Sequence, residues 1–214
     1  DLLEISRHDA GVANLSGEHV DVRGVVRSAL RQVRAIADEI GTSFNVNLPD
    51  EPVLVEIDSR RVERILRNLL ANAIDHGEGR PVLIRLRAND EAAAIIVRDQ
   101  GIGLRPGEEK LVFSRFWRAD PSRVRRSGGT GLGLALAREI AEAHGGRILL
   151  ANREGGGLAV TLILPALPGA ADAGAGGAAR RAQDALGHRA GGGDRRRARP
   201  ALPPHRPALR DRGH

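Results

Sequence analysis

The sequence predicts an α/β fold: a two-layer sandwich of a mostly antiparallel sheet with helices on one face. Three observations lead there. Apolar residues recur at helical spacing in three long segments, while six short segments alternate or run apolar as strands do. The two kinds are mixed in order, and the last strands lie close enough in sequence to form hairpins rather than parallel crossovers. Finally, the stretch from Gly101 to Gly131 has no sustained periodicity and is bracketed by glycine. It far exceeds the ~5-residue connection usual in compact domains, which marks a functional loop.

Each element has its own signals. Leu2, Leu3 and Ile5 read like the last turns of a helix before Gly11. Asp21 caps a helix running to about Ile40 on Val22, Val25, Val26, Ala29, Val33, Ile36, Ala37 and Ile40, with Gly41 as its stop. Phe44, Val46 and Leu48 alternate like a strand, as do Val53, Val55 and Ile57. A second helix, capped by Asp58, runs to about His76 and stops at Gly77. Strands at Val82 to Leu86 and Ala94 to Val97 are joined through Asn89, Asp90 and Glu91. The third helix covers about Leu132 to His144, and strands at Ile148 to Leu150 and Leu158 to Leu164 complete the domain.

Composition narrows the classes. A chain of 214 residues, 41% hydrophobic and 28% charged, is that of a soluble globular protein rather than a fibre. No apolar run approaches the roughly 18 residues that span a bilayer, and no export signal opens the chain. The absence of Cys excludes disulfide frameworks, thiolate metal sites and cysteine nucleophiles. With no Met and Asp1 at its start, the chain is expected to continue a longer protein. Residues 1–165 hold 23 basic and 23 acidic side chains, so the net charge of +6 sits wholly in residues 166–214. Of those 49 residues 37 are Gly, Pro, Ala or Arg and none is aromatic, which leaves little apolar surface to offset ordering entropy. The tail reads as disordered. A nucleic-acid arm is the alternative, but the aromatics that stack bases are missing, so no specific nucleic acid is expected.

Three constellations carry chemistry. Asn68 and Asn72 lie one turn apart along the edge of the apolar stripe Val62, Ile65, Leu66, Leu69 and Ala73. Their amides either satisfy a nearby loop backbone or offer carbonyl oxygens to a hard cation. Asp99, Gly101 and Gly103 follow a strand, where a carboxylate can accept from an exocyclic amine and glycines allow close approach; a plain turn is the simpler alternative. Gly128, Gly129, Thr130, Gly131, Leu132 and Gly133 lead into the third helix and present bare amides to an anion. Neither a P-loop nor a dinucleotide fingerprint fits this run, because no Gly-Lys-Ser/Thr follows and no strand immediately precedes. Between the glycine clusters stand Phe113, Phe116 and Trp117, interleaved with Lys110, Arg115 and Arg118, as suits a lid over phosphates or a small satellite core.

In order, Asn68-Leu69-Leu70-Ala71-Asn72, Asp99-Gln100-Gly101-Ile102-Gly103, Phe113-Ser114-Arg115-Phe116 and Gly129-Thr130-Gly131-Leu132-Gly133 resemble the N, G1, F and G2 boxes of two-component sensor histidine kinases. The resemblance covers about residues 1–165, and Lys110 to Pro121 with His76 to Pro81 look closest to an actinobacterial type within that family. It implies the Bergerat ATP-binding sandwich of the GHKL superfamily with a long ATP lid, and ATP and Mg²⁺ as cofactors. Asn72 would hold Mg²⁺, with Asn68 and His76 beside the nucleotide. Asp99, Gly101 and Gly103 would receive adenine, and Gly129, Thr130, Gly131, Leu132 and Gly133 would form hinge and phosphate cradle. Arg115 and Arg118, or Arg123 and Arg126, would reach the γ-phosphate. The resemblance further implies residues 1–16 as the end of a phosphoacceptor hairpin and residues 17–165 as the catalytic domain. Partners would be that hairpin, a second copy in the full-length protein, and a response regulator, on the cytoplasmic side of the cell membrane.

The residue four positions before Asn72 separates reaction classes. Hydrolysing members of that superfamily place a water-activating Glu there, where this chain has Asn68, and an amide cannot take a proton. No His of the seven fits the phosphoacceptor pattern; His8 precedes Asp9, but Gly11 ends the helix. The accepting His is therefore expected upstream, and this fragment is not expected to autophosphorylate. Alternatives are a free-standing anti-sigma-type serine kinase and a non-catalytic nucleotide- or nucleic-acid-binding module.

Overall fold

The structure, a computed structural model, describes residues 15–117 and 131–167. Its first long helix, α1 (Val22–Ile40), begins where the Asp21 carboxylate accepts from the Arg23 N–H at 3.1 Å and ends at Gly41, φ +79°. Both signals were legible, since a short acceptor side chain satisfies a first-turn amide and only glycine takes the left-handed C-cap without penalty. Helix α2 (Ser59–Gly77) is capped the same way, the Asp58 carboxylate accepting from Arg61 N–H at 3.1 Å. Its C-terminal reversal falls later than Gly77, on Glu78 at φ +54° and Gly79 at φ +77°.

Strands β1 (Glu18–Asp21), β2 (Phe44–Asn47), β3 (Leu54–Ile57), β4 (Val82–Ala88), β5 (Ala92–Arg98), β6 (Arg147–Asn152) and β7 (Leu158–Pro165) form two sheets. The larger has the order β2-β4-β5-β7-β6, and only its β2–β4 pair is parallel. Helices α1, α2 and α4 (Gly133–Ala143) contribute Val26, Ile65, Leu66, Leu69 and Ala137 to the same core as Ile84, Ile95, Val97, Leu150 and Leu162 of the strands. The expected two-layer arrangement is therefore present.

Four details differ from expectation. Strand β1, antiparallel to β3, escapes sequence reading because Glu-His-Val-Asp has no apolar alternation. Strand β2 ends at Asn47 on the sheet edge, with Val46 exposed. Short α3 (Glu108–Leu111) occupies part of the long loop. Ala166 and Leu167, grouped with the tail by composition, continue the fold: Ala166 N–H donates to Glu91 O and Leu167 N–H to Leu54 O, each at 3.0 Å. The expected helix end at Leu2 to Arg7 and the bulk of the tail lie outside the described residues. Among the described residues no helix is long and apolar enough to cross a membrane.

One cross-link positions the helical layer. His144 Nδ1 meets Ile140 O at 2.7 Å while its Nε2 accepts from Asp58 N–H at 3.0 Å, which requires the proton on Nδ1. The end of α4 is thereby tied to the start of α2.

Candidate functional site

At the end of β5 the chain leaves the sheet with Asp99, 5% exposed and one of two buried polar residues among those described. Its Oδ1 accepts from Gly101 N–H at 2.9 Å and Leu158 N–H at 3.1 Å. Its backbone carbonyl accepts from Arg153 Nη1 at 2.8 Å. No described residue bonds Oδ2, so one carboxylate oxygen is fixed by the fold and the other is left as an acceptor. Arg98, just before it, points to the other face of the sheet; burial, then Arg85, Arg153 and Arg87, hold its guanidinium below the usual range.

Gly101 fits because the C-terminal turn of α2 runs against it: a Cβ there would stand 2.2 Å from His76 O. Gly103, at φ +73°, faces Asn152, whose Oδ1 would lie 2.7 Å from an added Cβ. Both glycines are thus demanded by close approach. The loop is also held from the α2 side, where Arg80 Nη1 donates to Gln100 O and Gln100 Nε2 donates to Pro81 O at 2.9 Å.

Across the helical layer, Asn68 meets the beginning of α4. Its Nδ2 donates to Gly133 O at 3.4 Å, and a Cβ at Gly133 would sit 3.6 Å from Asn68 Cγ. Unlike α1 and α2, α4 has no side-chain N-cap, so its N-terminal amides have no capping acceptor of that kind. Asn72 and His76 follow Asn68 at four-residue intervals on α2, both partly buried, which brings one face of that helix past the α4 N-terminus to the Asp99 loop.

The F-box segment packs against the core and α4. Val112 is buried, Phe113 and Trp117 pack against the core, and Arg138 lies 5.5 Å over the Phe113 ring. Phe116 instead turns outward, at φ +65° and 58% exposed. Gly131, φ +77°, returns the chain beside it: Phe116 N–H donates to Gly131 O at 3.2 Å, and a Cβ at 131 would strike Phe116 C at 2.9 Å. Arg115 pairs with Glu139 of α4 at 2.9 Å. Arg118, Arg123, Arg126, Gly129 and Thr130 lie outside the described residues.

The structure thus brings together Asn68, Gly131, Leu132 and Gly133 at one end, and His76, Asp99, Gly101 and Gly103 at the other. Sequence reading missed the backing supplied by Arg80, Asn152, Arg153 and Leu158. The run Gly155-Gly156-Gly157, all at positive φ, was the available signal for a tight turn against Asp99. A Cβ at Gly157 would stand 2.3 Å from Asp99 O.

A sandwich with this loop, this helix face and this uncapped helix start defines a class of nucleotide-binding domain. Residues 57–168 match the histidine kinase-, DNA gyrase B- and HSP90-like ATPase family, and the chain belongs to it. Membership implies ATP binding. Over 169 residues the chain is 62% identical to the sensor histidine kinase MtrB of Mycolicibacterium paratuberculosis and 61% to MtrB of Mycobacterium tuberculosis H37Rv. Each alignment covers 79% of this chain and 30% of the relative, so the chain spans about a third of their length. Among solved structures, the mycobacterial sensor histidine kinase MprB is 33% identical with TM-score 0.60, covering 71% of this chain and 99% of that one. Full-length ShkA in complex with AMPPNP is 26% identical with TM-score 0.67, covering 80% and 35%. The domain is of the histidine-kinase ATPase type and similar to that of MtrB, the actinobacterial type to which residues 76–81 and 110–121 pointed.

Proposed function

We propose that this domain holds Mg-ATP and delivers its γ-phosphoryl to a histidine on a helical hairpin of the full-length protein, from which it passes to a response-regulator aspartate. The observation that supports this best is Asn68 set against the uncapped start of α4, with the α2 face leading to Asp99. Asp99 Oδ2 accepts from the adenine amino group, Gly101 and Gly103 allow the base to approach, and His76 stands at its edge. The α4 amides, with Gly129, Thr130, Gly131, Leu132 and Gly133, cradle the phosphates.

Mg²⁺ fits the donor set, because a single amide oxygen from Asn72 plus phosphate oxygens and waters is the sparse, all-oxygen coordination that ion accepts. When bound it neutralises charge between the phosphates. Arg115 supplies a cation at the γ-phosphate by exchanging its Glu139 pair, a half-exposed contact worth little in water, and Arg118 supplies another. Asn68 stands where a hydrolytic enzyme needs a base, so transfer goes to a protein acceptor rather than to water. The domain acts on the cytoplasmic side of the membrane, in a homodimer.

The test is to incubate the chain with γ-labelled Mg-ATP and a separately produced MtrB phosphoacceptor hairpin. Acid-labile, alkali-stable label on the hairpin, absent with Asn72→Ala, supports the reading. Label on the chain itself, or free phosphate released without the hairpin, contradicts it.

A further inference from the structure

We infer that Asn152 is a positioning residue for the base-binding loop, standing in for a neighbouring strand that residues 102–104 lack. The inference rests on the nucleotide reading above. Asn152 is the last residue of β6, in the strand register of buried Ile148 and Leu150 but exposed at the sheet's end, where periodicity would otherwise place a third apolar side chain. Its amide instead engages both backbone groups of one loop residue. Leu104 N–H donates to Asn152 Oδ1 at 2.8 Å, and Asn152 Nδ2 donates to Leu104 O at 2.7 Å.

This two-way pairing is what a facing strand would supply, and a side chain does it only if it carries a donor and an acceptor side by side. Asp offers no donor, and Gln reaches one methylene farther. The oxygen and nitrogen assignment is settled by the partners, since each atom meets the complementary backbone group.

The consequence follows from where the two anchors fall. Asp99 fixes the start of the loop through Gly101, Leu158 and Arg153, and Asn152 fixes its end at Leu104. Between them Ile102 is 68% exposed, with little packing of its own to hold it. The positive φ of Gly103 and the 2.7 Å approach of its absent Cβ to Asn152 Oδ1 show that the loop is shaped around this amide. Removing it frees residues that base binding must then order, and ordering costs affinity. Phosphate contacts, which belong to α4 and the residues before it, do not depend on this anchor.

The test compares the whole chain with Asn152→Ala and Asn152→Asp in three measurements: hydrogen exchange at the Leu104 amide, the Kd of a fluorescent Mg-ATP analogue, and the Kd of Mg-tripolyphosphate, which has no base. Asn152→Ala is expected to abolish protection at Leu104 and to raise the analogue Kd roughly tenfold, a change set by lost preorganisation, with tripolyphosphate unchanged. Asn152→Asp, which keeps the acceptor, should fall between. Unchanged analogue affinity in Asn152→Ala, or equal weakening of tripolyphosphate, overturns the inference. Asp99→Asn is the control: if it too leaves analogue binding intact, the base site itself is misplaced and the inference falls with it.

Discussion

Replacing Asp99 by Asn separates its two roles. Oδ1 accepts from the Gly101 and Leu158 N–H groups, so an amide oxygen in that place keeps both bonds and the fold. On the proposed function, the other position changes from acceptor to donor and would meet the adenine amine with an N–H. A hydrogen bond involving a charged group contributes about 1.5–3 kcal/mol, so its loss lowers affinity by roughly 10- to 150-fold. Two opposed donors place the effect at the upper end, because the amine is left unpaired in a desolvated site. Asp99→Ala behaves differently, since both backbone N–H groups lose their acceptor at about 1–3 kcal/mol each. Titration of a fluorescent ATP analogue beside urea unfolding reads both quantities. The expected pattern is lost binding at near-normal stability for Asn, and lost binding with a lower unfolding midpoint for Ala. Wild-type affinity in Asp99→Asn, or equal destabilisation by the two substitutions, would refute the division of labour between the oxygens.

Further outcomes follow from the same geometry. Gly101→Ala drives a Cβ to 2.2 Å from a backbone carbonyl, so about 1–3 kcal/mol of stability should be lost along with nucleotide binding, as urea unfolding and titration would show. Asp21 is pushed up by burial, but hydrogen bonds from the Arg23 side chain and the Val53 and Arg23 N–H groups outweigh this and hold its pKa below the usual value. Its stabilisation is therefore full above the unfolded-state pKa near 4 and lost as pH falls through the lower folded value. Urea midpoints measured against pH should show a flatter acid limb for Asp21→Asn. Deleting residues 168–214 should leave ATP-analogue affinity unchanged, and weakened binding would give the tail a part in the site.

Local chemistry alone specified much of this molecule. Asp21 and Asp58 announced the helix starts because a carboxylate beside three or four apolar-periodic residues has a ready use for orphan amides. Residues 82–86 and 158–164 were legible as strands because apolar side chains there fit a repeat of every second residue. The four boxes named the family by their order. Other features have no local signature. Strand β1 exists only because β3 offers a partner, and β2 becomes an exposed edge because of where the sheet ends. Arg115 takes Glu139 as its partner across 24 residues. Asn152, read by itself, is only a polar residue closing a strand. What places its amide on Leu104, and Leu158 N–H on Asp99, is the antiparallel docking of β7 against both β5 and β6. The sequence by itself thus determined which residue types were available for chemistry, because those depend on composition and short-range spacing. Only tertiary structure decided which of them meet, because contacts across 48 or 59 residues are chosen by packing the whole sheet.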